Sequence, residues 1–166
     1  MVRRFVSRPG RLGFSLIELL VVIAIIGILA AIAIPNLLNA LQRGKQKRTM
    51  ADIRTLATAI ESYNADNSSY PSASCPTTVP MGFQTLSSNS WSLLRPTYIA
   101  LPATVDGWRN PLHYALDLPN FEYTLASFGR DGTADGSVAC GTTTNFNDDI
   151  LYSNGTFVQY PDGAQQ

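Results

Sequence analysis

The chain has 166 residues, enough for one modest domain with appendages, and balances 12 Lys and Arg against 12 Asp and Glu. The balance is uneven along its length: residues 1–48 hold eight basic groups and one acid, Glu18, whereas the rest holds four basic and eleven acidic residues. An acidic C-terminal part would repel phosphates, which argues against nucleic-acid binding. A basic end joined to an apolar run points instead to a membrane-anchored chain with its head in water.

Residues Phe14 to Ile34 read FSLIELLVVIAIIGILAAIAI, 21 residues with one charge. As a helix this run is about 31 Å long, which matches the ~30 Å hydrocarbon core of a bilayer. Its apolar residues run all round without a stripe, so lipid or a bundle of similar helices must surround it. Ala31-Ile32-Ala33 also supplies a small-x-small cleavage site, but secretory signals have shorter apolar regions, about 7–15 residues, without a carboxylate near the start. Four arginines precede the run and four basic residues follow it, so charge counting does not orient it. Glu18 is the odd residue. A carboxylate inside the bilayer costs about 2.5–3.5 kcal/mol and is usually paired; lying near one end, this one could also snorkel to the interface.

Gly13-Phe14-Ser15-Leu16-Ile17-Glu18, preceded by a basic leader and followed by an apolar run, closely resembles the type IV prepilin signal shared by type IV pilins and type II secretion pseudopilins. The resemblance implies cleavage by a prepilin peptidase between Gly13 and Phe14 and N-methylation of the new Phe14 amine. It also gives Glu18 a partner, the positive Phe14 amine of a neighbouring subunit. An opposite charge in a low-dielectric helix bundle stabilises the carboxylate. The implied assembly is a homopolymer through the N-terminal helices, built on an inner-membrane platform together with minor pseudopilins.

Pro35 ends the apolar run, and a proline inside a helix removes a hydrogen bond and bends or stops it. Beyond it Met50, Ile53, Leu56, Ala57, Ile60 and Tyr63 recur at spacings of three and four, which predicts a continued, amphipathic helix. One helix over Phe14–Asn64 would be 51 residues and about 77 Å long. The expected organisation is a leader at 1–13, a membrane helix at 14–35, its amphipathic second half at 36–65 and a head at 66–166.

In the head, 64–71 are turn formers, and 72–80 have no apolar period and read as loop. Phe83, Leu86, Trp91, Leu93 and Leu94 suggest a short irregular helix. His113–Leu116 and Phe121–Phe128 form one expected hairpin. Ile150–Ser153 and Thr156–Tyr160 form another across Asn154-Gly155, a dipeptide suited to a type I′ turn. A small antiparallel sheet laid on the amphipathic helix is an α+β architecture. Leu101-Pro102 with Asp106-Gly107-Trp108-Arg109-Asn110-Pro111 resembles the "LP, D-x-W-G-N-P-Y" segment of the major pseudopilin of type II secretion, with Gly107 ahead of Trp108 and Arg109 where that family has glycine. Gly129-Arg130-Asp131-Gly132 and Asn147-Asp148-Asp149-Ile150 resemble its C-terminal loop. The resemblance implies the pilin fold, a long helix on a small sheet.

Asp131, Thr133, Asp135, Asp148 and Asp149 concentrate oxygen donors, which suit calcium better than zinc or magnesium. An EF-hand is excluded, because its twelfth position falls on Thr142. The family resemblance implies a structural calcium on Asp131, Asp148 and Asp149 with oxygens near Leu125 and Ser127. An insertion carrying Cys140 separates Gly136 from Asp148, so a solvated loop tied by a Cys75–Cys140 disulfide is the alternative, and the two could coexist. Such a disulfide would contribute roughly 4 kcal/mol on the chain-entropy model; two separate thiols are the other reading. His113 is the single histidine, and with no P-loop, no Gly-x-Ser-x-Gly and no paired cleft carboxylates the chain lacks the parts of an enzyme.

Three readings follow. The first is the major pseudopilin, anchored in the inner membrane by a single pass with its head in the periplasm and assembled into a periplasmic pseudopilus. The second is a cell-surface type IV pilin for adhesion, motility or DNA uptake. The third is a tethered binding domain that never polymerises.

Overall fold

The computed structural model describes residues 13–70, 84–85, 92–117, 122–135 and 140–162. Helix α1 spans Leu16–Asn67, 52 residues with Pro35 inside it. Pro35 removes only one backbone hydrogen bond, and Ile34 before it and Leu37-Leu38 just after it are helix-compatible, so the helix continues as the spacing of its later apolar residues predicts. It ends where Ser68 adopts φ 52°, the left-handed conformation common just past a helix C-terminus, and its N–H bonds to the Asn64 carbonyl at 2.7 Å. The Tyr98 hydroxyl donates to Asp66 at 3.0 Å and ties this last turn down.

Two compact units divide the chain, 1–40 and 41–166. In the first, the large apolar side chains from Leu16 to Leu38 are at least 45% exposed, and the helix they lie on has an apolar window of mean hydropathy 3.0.

In the second unit the rest of α1 packs against a six-stranded sheet of order β1-β2-β3-β5-β6-β4. Its strands are β1 (Gln84–Thr85), β2 (His113–Asp117), β3 (Glu122–Ser127), β4 (Gly141–Thr143), β5 (Ile150–Ser153) and β6 (Thr156–Pro161). Both expected hairpins form. Asn154 and Gly155 take φ 45° and 89°, the paired positive values that a type I′ turn requires, and Ser153 faces Thr156 across it. The sheet departs from the expectation at its edges: β1 adds antiparallel to β2, and β4 adds parallel to β6. Two- and three-residue strands carry too little periodicity to read from sequence. Of the expected irregular helix, a single turn at 92–94 appears; Phe83, Leu86, Trp91 and the loop at 72–80 lie outside the described residues.

The core unites Met50, Ile53, Leu56, Ala57 and Ile60 of α1 with Tyr114, Leu116, Tyr123, Leu125, Ile150, Tyr152 and Phe157 of the sheet. These helical residues share one face at 3.6 residues per turn, which is why the second half of α1 is amphipathic. Polar ties cross the same contact. The Tyr123 hydroxyl donates to Glu61 at 2.6 Å, and burial together with this carboxylate pushes the tyrosine pKa strongly up.

Candidate functional site

At the start of α1, the Ser15 backbone N–H donates to Oε2 of Glu18 at 2.8 Å. Ser15 is the residue before the helix and Glu18 the third within it, so this is the glutamate half of a capping box. Helix N-termini leave backbone donors unpaired and carry partial positive charge, so a carboxylate here is favoured. Sequence reasoning sought Glu18's partner in another subunit and missed this local one, although Ser-x-x-Glu is its signature. A carboxylate accepts at two oxygens, so the cap leaves room for a second donor. Phe14 and Glu18 are both exposed, and Gly13 has open space around its Cα.

A second feature is the loop between Val105 and Pro111, closed by a bridge between those two residues. Asp106 is 2% exposed. Its Oδ1 accepts from the N–H groups of Trp108 and Asn110, each at 2.8 Å, and its Oδ2 accepts from the Ser127 hydroxyl at 2.7 Å. The loop lies on α1. The Gly107 N–H donates to the Thr49 hydroxyl at 2.9 Å, and the Trp108 indole donates to Gln42 at 2.6 Å. A Cβ on Gly107 would stand 2.5 Å from the Lys45 carbonyl oxygen, which accounts for glycine preceding the tryptophan. On the other side, the Asn110 amide donates to the Gly129 carbonyl at 2.8 Å and joins the loop to the aspartate-rich segment.

In that segment Asp149 is 4% exposed. It exchanges hydrogen bonds with Asp135: each backbone N–H donates to the other's Oδ2 at 3.0 Å. Its Oδ1 is buried without a hydrogen-bond partner. Burial, followed by repulsion from Asp135, Asp131 and Asp148, pushes its pKa up to about 7, against the lowering effect of the Asp135 N–H. Asp131 and Asp148 spend an oxygen each on local turns, accepting from Thr133 N–H at 3.1 Å and Asn145 N–H at 3.3 Å. Of the other expected ligands, Leu125 is a core residue and Ser127 has given its hydroxyl to Asp106. Among the described residues no three His, Cys, Asp or Glu side chains are grouped to hold a metal ion. The fit to calcium is therefore partial: a buried orphan oxygen amid like charges, without a third side-chain donor. Cys140 is an exposed free thiol, and Cys75 lies outside the described residues.

Comparison with known proteins decides the family. The family model described as "Type II secretion system (T2SS), protein G" matches residues 36–145, and one described as "Prokaryotic N-terminal methylation motif" matches residues 8–34. A type II secretion system core protein G from Pseudomonas aeruginosa is 33% identical over 132 residues, covering 79% of this chain and 92% of that protein. The core protein G of Escherichia coli is 35% identical over 123 residues, 72% of this chain and 82% of the relative. This chain belongs to the type II secretion protein G family, the pseudopilins.

A type IV major pilin protein PilA from Myxococcus xanthus is 46% identical, but over 69 residues, 42% of this chain and 30% of that protein. No solved structure matches. The methylation motif contains Gly13, Phe14 and Glu18, and the protein G match contains the Asp106 loop and Asp131 but stops short of Asp148 and Asp149. Within this pseudopilin the departure at Arg109 has a structural cost. Arg109 has φ 75°, a conformation natural to glycine and strained for other residues. Arg109→Gly is therefore expected to stabilise the head by about 0.5–1 kcal/mol, read as a rise in denaturation midpoint.

Proposed function

We propose that the protein is the major pseudopilin of a type II secretion system, a structural subunit whose filament helps move proteins across the outer membrane. In this reading prepilin peptidase removes residues 1–13, the Phe14 amine is methylated, and the subunit waits in the inner membrane as a single-pass protein with its head in the periplasm. It then polymerises through the N-terminal helices, with minor pseudopilins and the inner-membrane assembly platform, into a periplasmic pseudopilus. The observation that carries the reading is the exposed apolar first part of α1, Leu16 to Leu38, whose lone acid, Glu18, sits at the helix start. Such a helix is stable only in lipid or among copies of itself. Protein G relatives match along most of the chain and the type IV pilin along less than half, which favours the pseudopilus over a surface pilus. The intact mass of the membrane-extracted protein tests the processing: it should correspond to a chain beginning at methylated Phe14. A chain retaining Met1, or beginning after Ala33, would leave no Phe14 amine for Glu18 and would remove the assembly mechanism.

A structural calcium ion is the second part of the proposal. The orphan oxygen of Asp149 and the like charges of Asp131, Asp135 and Asp148 are its support. A hard cation there would offset that repulsion through Asp149 and Asp135, with backbone carbonyls as further donors. Calcium is expected to raise the melting temperature of the full chain in detergent by several degrees, and EDTA to reverse the rise. Asp149→Asn should abolish the response. A melting curve indifferent to both additions would remove the ion.

A further inference from the structure

We propose that Arg43, Lys45, Lys47 and Arg48 form a basic collar that binds anionic phospholipid headgroups of the bilayer crossed by the preceding span. The inference rests on the membrane reading above and goes beyond it by assigning a ligand to the stretch after the span. Between Glu18 and Asp52 the sequence contains no acid, so these four charges stand in an otherwise uncharged run. All four residues are exposed, while Gln46, in their midst, is buried. Among the described residues their one ion pair is Arg48 with Asp52, at 3.6 Å on an arginine side chain 72% exposed. Asp162 borders the same shallow cleft as Arg43 without forming a salt bridge.

Position along the chain argues for lipid. The helical part of the first unit, Leu16 to Ala40, is about 38 Å long. That nearly matches a bilayer with its headgroups included, about 40–45 Å. The basic residues follow within a few positions, where chain leaving the apolar layer meets phosphates. Helical side chains lean toward the N-terminus, so long Lys and Arg side chains can carry their charged ends back toward the span. A second copy's acidic head also complements this charge, but every subunit meets lipid before it meets a filament. The collar then makes lipid charge a determinant of how readily a subunit leaves the membrane.

The test uses the full chain reconstituted into phosphatidylcholine vesicles with and without phosphatidylglycerol. Trp108 reports on the collar because its indole is bonded to Gln42; Trp91→Phe in every sample removes the other tryptophan. Quenching of Trp108 by headgroup spin-labelled phosphatidylglycerol should reveal at least about tenfold enrichment over labelled phosphatidylcholine, given roughly fivefold per basic residue near an anionic surface. High salt should reduce the enrichment, and replacing all four residues with glutamine should abolish it. Equal quenching by the two lipids, or a preference that survives the four substitutions, overturns the collar while leaving the span intact. Loss of self-association in the substituted chain with an unchanged lipid preference overturns it too, by assigning the charges to a second copy. Failure of the protein to float with either vesicle overturns the span itself.

Discussion

Subunits carrying Glu18→Ala are expected to fold their heads normally and enter the membrane, yet to yield at least about tenfold fewer filaments than wild type. Two interactions end together in this variant. One is the cap, in which Ser15 N–H donates to the carboxylate; losing a cap costs about 0.5–2 kcal/mol of helix stability. The other is the proposed pairing with a neighbour's Phe14 amine in a low-dielectric bundle. Removing one partner of a buried pair costs about 3–5 kcal/mol, because the other charge is left uncompensated. The second effect is the larger and predicts the outcome.

Glu18→Gln separates them. A glutamine side chain still fills the third position of a capping box, so the Ser15 N–H keeps its acceptor, but no charge is left to meet the amine. If pairing drives assembly, the glutamine subunit fails about as badly as the alanine one. Filaments counted by electron microscopy from cells expressing each variant at equal level measure this. Near-normal yield from the glutamine subunit would mean that the cap, rather than the counter-charge, is what assembly needs.

The long helix and its buried face were legible because they rest on many residues repeating one period, and a single proline does not outweigh that repeat. The hairpins were legible from local turn chemistry, above all Asn154-Gly155, whose positive φ values few other dipeptides adopt. The edge strands were not. Gln84–Thr85 and Gly141–Thr143 are strands because a neighbour offers unpaired backbone groups, and that offer is tertiary. The site residues divide the same way. Gly13, Phe14 and Glu18 lie in one short contiguous motif, so the methylation motif at residues 8–34 was legible from local sequence alone. Asp106 was visible only as a letter in a family segment. Its partners include Ser127, 21 positions away, and nothing in the spacing announces that a hydroxyl there will find this carboxylate.

That buried carboxylate sets the other large effect. Asp106→Ala should lower the stability of the head by about 3–5 kcal/mol, because three donors lose at once an acceptor that is itself only 2% exposed. Two are the N–H groups of Trp108 and Asn110, which hold the loop closed, and the third is the Ser127 hydroxyl on the central strand. The consequence reaches both sides of the loop. Without it, Gly107 and Trp108 no longer sit against Thr49 and Gln42 of α1, and Asn110 no longer supports the Gly129 carbonyl. For a head of this size the loss corresponds to a fall in melting temperature of about 10 °C or more. Asp106→Asn keeps one oxygen acceptor and should recover part of it, whereas Asp106→Leu, which fills the volume without bonding, should do no better than alanine. Were leucine to restore stability, the loop would be held by packing and the three hydrogen bonds would be incidental.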